Sequence, residues 1–152
     1  MEPIFVEKPE MILVGLIGCS SDVSQLDIHG LWQRFTEHSK NIKHQIEGKA
    51  YELHIEEETL PKMHFCLAGV EVHKIEDTPI ELFAKVIPPC RYAVFTHHFS
   101  DGGFGHAFKF VYDWIDESEY TAAYHFDIQC YDERFKGPDN PESVMEIYVP
   151  IF

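Results

Sequence analysis

Residues 87–118 read IPPCRYAVFTHHFSDGGFGHAFKFVYDWIDES, and they divide into strand, glycine loop and helix. Cys90 to His98 is rich in β-branched and aromatic residues and is entered through Pro88-Pro89, as a buried strand would be. Asp101-Gly102-Gly103 breaks it. Phe104, Ala107, Phe108, Val111, Trp114 and Ile115 then recur at helical spacing, with Lys109, Asp113, Asp116 and Glu117 on the opposite face.

The N-terminal half carries the same order of elements. Residues 11–18 (MILVGLIG) form a short continuous apolar run after Pro9, so a buried strand. Residues 28–42 predict a helix with Ile28, Leu31, Trp32, Phe35 and Ile42 on one face and Asp27 as N-cap. Residues 50–57 (AYELHIEE) alternate, placing Tyr51, Leu53 and Ile55 on one side and Glu52, His54 and Glu56 on the other. Glu56 to Pro61 reads as a solvated turn. Residues 63–72 (MHFCLAGVEV) predict a strand with Gly69 as a bulge, and 82–87 a short strand.

After Ser118 the chain predicts a strand over 123–134, with Tyr124, Phe126, Ile128 and Cys130 facing one way and His125, Asp127, Gln129 and Tyr131 the other. Residues 135–141 (FKGPDNP) form a turn-rich loop, and 143–152 the last strand. Strand–helix–strand–strand therefore occurs twice, at a period of roughly eighty residues, longer than solenoid repeats. RFTEHS (34–39) lies over DWIDES (113–118), and AYELHIEE (50–57) over AYHFDIQC (123–130). The expected fold is α+β: one domain over residues 1–152, with pseudo-repeats of about 1–80 and 81–152. These would form one antiparallel sheet with both helices on one side and a central ligand cleft between the halves.

Composition narrows the function. The net charge of −14 argues against binding a phosphate backbone and favours cationic partners. Hydrophobic residues at 45% and aromatics at 14% supply a core and an apolar pocket. Cys19, Cys66, Cys90 and Cys130 are dispersed, with no C-x-x-C and no Cys near a His in zinc-ligand spacing, so a reducing cytoplasm is expected. The N-terminus lacks a signal-peptide pattern, and no apolar run approaches the ~18 residues of a membrane span.

The chain resembles the GyrI-like family, a small-molecule (effector) binding domain also found fused to AraC- and MerR-type multidrug regulators. The resemblance rests on VEKPEMILVGL, LWQRF, FCLAGVEV, IPPCRYAVFTH, VYDWI, YDERF and MEIYVPI, in order along nearly the whole chain. It is strongest to stand-alone members, including those on integron cassettes. It implies two tandem repeats and a central cleft for amphipathic, often cationic, aromatic molecules. Many family members carry a Glu two residues before the Tyr of the penultimate strand. Here Gln129 precedes Tyr131, and an amide supplies no full charge. Glu146, two residues before Tyr148, and Glu52 in the first half stand as replacement carboxylates, and the sequence leaves open which of them faces the cleft.

The expected ligand site is therefore Trp32, Tyr92, Trp114, Tyr131 and Tyr148 as aromatic walls, with Glu52, Gln129 and Glu146 as polar contacts. Trp32 and Trp114 on the two helices would offer π-faces to a flat cation, each worth about 0.5–2 kcal/mol. The bland alternative is that each of these aromatics simply packs in the core. The leading expectation is a binding domain for sequestration or transcriptional response, partnered by a small amphipathic or cationic aromatic ligand, with a separate regulator or gyrase as the candidate protein partner, and with no membrane, no direct nucleic-acid contact and no cofactor. A second reading is a hydrolase of cyclopropane-containing genotoxic natural products, using Glu146 and Tyr148 as an acid–base pair. A third is protein interaction, since the namesake of the family inhibits DNA gyrase.

Other motifs weigh little. Asp101 to His106 lies where a phosphate loop would, but lacks G-x-G-x-x-G and a following Lys-Ser/Thr. His97, His98, Asp101 and His106 form the densest histidine cluster, yet neighbours on a strand point to opposite faces, so no metal site is expected there. There is no G-x-S-x-G, and Cys90 has no evident catalytic partner.

Overall fold

The computed structural model describes residues 1–59 and 62–152. Its strands are β1 (Ile4–Lys8), β2 (Met11–Ser20), β3 (Ala50–Glu57), β4 (Met63–Val72), β5 (Phe83–Ile87), β6 (Cys90–His98), β7 (Phe126–Tyr131) and β8 (Val144–Ile151). The helices are α1 (Ile28–His38) and α2 (Phe104–Glu117). The turn expected over 56–61 includes Leu60 and Pro61, which lie outside the described residues.

All pairings are antiparallel, in one open sheet of order β1-β6-β8-β7-β3-β4-β2-β5. The order is palindromic about the β7–β3 pair: β5 matches β1, β2 matches β6 and β4 matches β8. Each half lends its first strand to the far edge of the other. β1 precedes β2 in the chain but pairs with β6; β5 precedes β6 but pairs with β2. The links Pro9-Glu10 and Pro88-Pro89 are two residues long, so the strand ends they join lie within roughly 10–11 Å. These joined ends belong to opposite sides of the sheet, which must therefore curl.

Both helices lie on one face. The Asp27 side chain accepts from the Gly30 N–H at 2.9 Å and caps α1 as expected. The α-helix stops at His38, and a 3₁₀ turn over Ser39–Asn41 follows, short of the 28–42 span expected. Phe35 of α1 packs with Val14, Val70 and Val72; Ala107, Val111 and Ile115 of α2 pack with Ala93, Phe95, Ile147 and Val149. The helix-free face carries its own core of Leu13, Tyr51, Leu53, Leu67, Tyr92, Val94, Ile128 and Tyr148, buried inside the curl.

Two expectations need correction. β1 was not anticipated, since five residues with mostly exposed side chains give little periodicity. Gly69 is not a bulge: it sits in regular register opposite Gly15. A Cβ on Gly15 would come within 2.0 Å of the Ala68 carbonyl oxygen, and one on Gly69 within 2.1 Å of that of Val14, so both glycines exist to let two backbones approach.

Candidate functional site

The palindrome brings β3 and β7 together at the centre of the sheet, with Glu52 directly opposite Gln129 and His54 opposite Asp127. Period-two alternation turns Ala50, Glu52 and His54 of β3, and Gln129 and Tyr131 of β7, towards the helices. There they floor a cavity of about 660 Å³, within the range typical of small-molecule pockets. Ile28, His29 and Trp32 from α1 form one wall; Phe104 and Phe108 from the first turns of α2 form the other; Phe135 and Pro138 close one side. Ile28 and Trp32, like Phe104 and Phe108, are four apart, so each pair stands on one helical stripe.

The polar floor is hydrogen-bonded and largely buried. Glu52 is only 6% exposed. Its Oε1 accepts from Trp32 Nε1–H at 2.6 Å, and its Oε2 lies 2.9 Å from His54 Nε2. The Tyr131 hydroxyl donates to Gln129 Oε1 at 2.6 Å and sits 3.5 Å from Glu52 Oε1. Burial, reinforced by the Glu52 charge, keeps that hydroxyl protonated. Burial disfavours charge on His54, but its contacts with Cys66 and Glu52 outweigh burial and push the imidazole up to about 10. Cys66 Sγ, opposite His54 on β4, is 3.8 Å from the same Nε2. On β7, burial raises the Asp127 carboxyl against the pull of His54 and Tyr112. Tyr112 donates to Asp127 Oδ2 at 2.5 Å, while Oδ1 has no hydrogen-bond partner among the described residues. The aromatic walls meet edge-on: the Trp32 and Tyr131 rings are 6.1 Å apart at 87°.

Four of the eight expected site residues line this cavity: Trp32, Glu52, Gln129 and Tyr131. The other four are placed elsewhere. The register Gln129↔Ile147 sends Ile147 to the helix face and therefore Glu146 and Tyr148 to the helix-free face. There the Tyr148 hydroxyl donates to Glu146 Oε2 at 2.8 Å, and Arg134 holds Glu146 Oε1 at 3.1 Å. Tyr92 shares that face, packed edge-on against Tyr148. Trp114 is on the helix side, but near the C-terminal end of α2, against Phe95 and stacked on Tyr120. Sequence reasoning passed over His54, Phe104, Phe108 and Phe135. The alternation of β3 already set His54 beside Glu52, and the four-residue step already set Phe104 beside Phe108; the missing information was which faces meet. His97 and His98 diverge as expected: His97 is buried, with Nε2 2.8 Å from the Gly102 carbonyl, and His98 is exposed.

Fold and site together define an α+β module with a largely apolar cavity on its pseudo-twofold, built to enclose a small molecule. The family model of the GyrI-like small molecule binding domain matches residues 1–151, and the chain belongs to that family. Among curated proteins it is similar to the transcriptional regulator BrlR of Pseudomonas aeruginosa, 28% identical over the whole of this chain; the chain spans 56% of that regulator's length. Among solved structures it is similar to SAV2435 bound to tetraphenylphosphonium, with a TM-score of 0.75 and 18% identity, covering 100% of this chain and 94% of the other. It is also similar to a putative transcription regulation protein of Staphylococcus aureus MU50, with a TM-score of 0.70 and 18% identity, covering 99% and 98% of the two chains. No helix among the described residues is long and apolar enough to cross a membrane.

Proposed function

We propose that this chain captures amphipathic aromatic molecules, hydrophobic cations among them, and acts as an effector-binding or sequestering module in a transcriptional or multidrug response. The observation that carries this reading is the cavity: aromatic walls from both helices over a floor with one buried carboxylate, Glu52. An aromatic ligand gains area burial and edge or face contacts with Trp32, Phe104, Phe108 and Tyr131. A cationic one gains in addition from Glu52. Tetraphenylphosphonium bound to SAV2435 supports the choice of ligand class, and the likeness to BrlR supports a regulatory setting.

The test is a thermal-shift comparison of tetraphenylphosphonium with its neutral relative triphenylphosphine oxide. At about a hundred times its dissociation constant either ligand stabilises by roughly 2.7 kcal/mol. Phe108→Ala should weaken both, and Glu52→Gln the cation alone. Absence of any shift across a panel of aromatic cations and neutrals would overturn the reading.

A hydrolase is the second reading, favoured by the Tyr131 hydroxyl 3.5 Å from Glu52 Oε1 at the cavity floor. Glu52 would activate water and Tyr131 would protonate the departing carbon of a strained ring in a cyclopropane-containing genotoxin. Mass-detected addition of water to such a compound, abolished in Glu52→Gln, would bring this reading forward.

A further inference from the structure

We propose that Glu52, His54 and Cys66 form a binding site for a zinc-class divalent ion at the floor of the cavity. The three donor atoms come from adjacent strands: Glu52 and His54 alternate on β3, and Cys66 stands opposite His54 on β4. The three all lie within 4.8 Å of one another. Nothing in the spacing of these residues along the chain announces the cluster, because strand pairing assembles it.

Two roles compete for a Cys–His–carboxylate group, and geometry separates them. A catalytic relay places the thiol on one ring nitrogen and the carboxylate on the other, so that a proton can pass through the imidazole. Here both converge on one atom. His54 Nε2 is 2.9 Å from Glu52 Oε2 and 3.8 Å from Cys66 Sγ. That nitrogen carries a single hydrogen or a single lone pair, so hydrogen bonding can serve both partners only through one shared, bifurcated bond. An ion serves all three at once. Zinc bonds of about 2.0–2.3 Å set tetrahedral donor separations near 3.3–3.6 Å. The nitrogen–sulfur separation is close to that span, and the nitrogen–oxygen pair need only open by a few tenths of an ångström.

The electrostatics fit the same occupant. Binding releases the imidazolium and thiol protons to solvent, and a carboxylate and a thiolate around the resulting neutral imidazole balance a divalent charge, so an ion here leaves no net charge in an apolar cavity. The set of sulfur, nitrogen and oxygen donors suits zinc and its analogues and not magnesium or calcium. Trp32 Nε1–H on Glu52 Oε1 fixes the carboxylate and leaves Oε2 for the ion. Among the described residues only three protein donors converge, and Glu52 and His54 line the cavity, so the fourth position faces the space a small molecule would enter.

The test is titration of the reduced 152-residue chain with Co²⁺ alone, in a phosphine reductant that contributes no thiol. The expected result is one Co²⁺ per chain, with a thiolate-to-cobalt charge-transfer band and the intense visible bands of tetrahedral cobalt, both bleached by Zn²⁺. His54→Gln should weaken binding at least tenfold, Cys66→Ser should abolish the charge-transfer band, and Cys19→Ser should change nothing. Because Cys66 is fully buried, its variant is first checked for a cooperative melt. If it does not fold, His54→Gln and the Zn²⁺-induced rise in the melting temperature of the unaltered chain decide. A cobalt spectrum without a thiolate band, a band that survives Cys66→Ser, or no thermal shift with Zn²⁺ would overturn the proposal. The readouts use metal alone, so they stand apart from any failure of organic-ligand binding.

Discussion

Replacing Trp32 by Phe isolates the contact that orients the cavity floor. The ring is largely kept, but the indole N–H that reaches Glu52 Oε1 at 2.6 Å is lost. A hydrogen bond to a buried charged acceptor contributes about 1.5–3 kcal/mol, and its loss strands part of the acceptor. Glu52 is 6% exposed, so water replaces the donor only in part. The expected cost is about 2 kcal/mol, or a fall in melting temperature of roughly 4–8 °C for a chain of this length. The assay is a urea-unfolding cycle of the parent, Trp32→Phe, Glu52→Met and the double variant, in the presence of a chelator. Glu52→Met keeps volume and removes the acceptor, so the coupling between the two sites should be about 1.5–3 kcal/mol. A coupling near zero, with unchanged m-values, would refute the view that this bond organises the floor.

Further outcomes follow from the same geometry. Gly15→Ala and Gly69→Ala should each cost at or beyond the upper end of the ~1–3 kcal/mol overpacking range, read by chemical denaturation, because the new methyl would meet backbone at about 2 Å. Gln129→Glu should tighten tetraphenylphosphonium relative to triphenylphosphine oxide about tenfold, or ~1.4 kcal/mol, by titration calorimetry. Burial holds the His97 imidazole below its usual value. The unfolded chain therefore takes up that proton first, and stability should fall as pH drops through about 6.5 towards the folded value; His97→Gln should flatten this slope in pH-dependent melts.

The repeat, both helices and every strand but β1 were legible in the sequence, because periodicity is a local property. The alternation of β3 and β7 correctly grouped Glu52 with His54 and Gln129 with Tyr131. What one chain's periodicity does not carry is register between distant strands. Glu146-x-Tyr148 and Gln129-x-Tyr131 look alike in sequence, yet Gln129↔Ile147 pairing sends them to opposite faces. Trp32 and Trp114 look like counterparts, yet the cavity uses the early turns of α2 and leaves Trp114 to Phe95 and Tyr120. The Glu52–His54–Cys66 cluster depends on β3–β4 pairing, and the exchange of β1 and β5 between halves depends on the curl of the whole sheet.

The two tryptophans give the most direct test of the claim that ligands enter the cavity between α1 and α2. Tetraphenylphosphonium is titrated into Trp114→Phe, which keeps Trp32 as the sole indole, and into Trp32→Phe, which keeps Trp114. The account predicts a saturable change in Trp32 emission and none in that of Trp114. A saturable response from Trp114 with Trp32 silent would place the ligand elsewhere and contradict it.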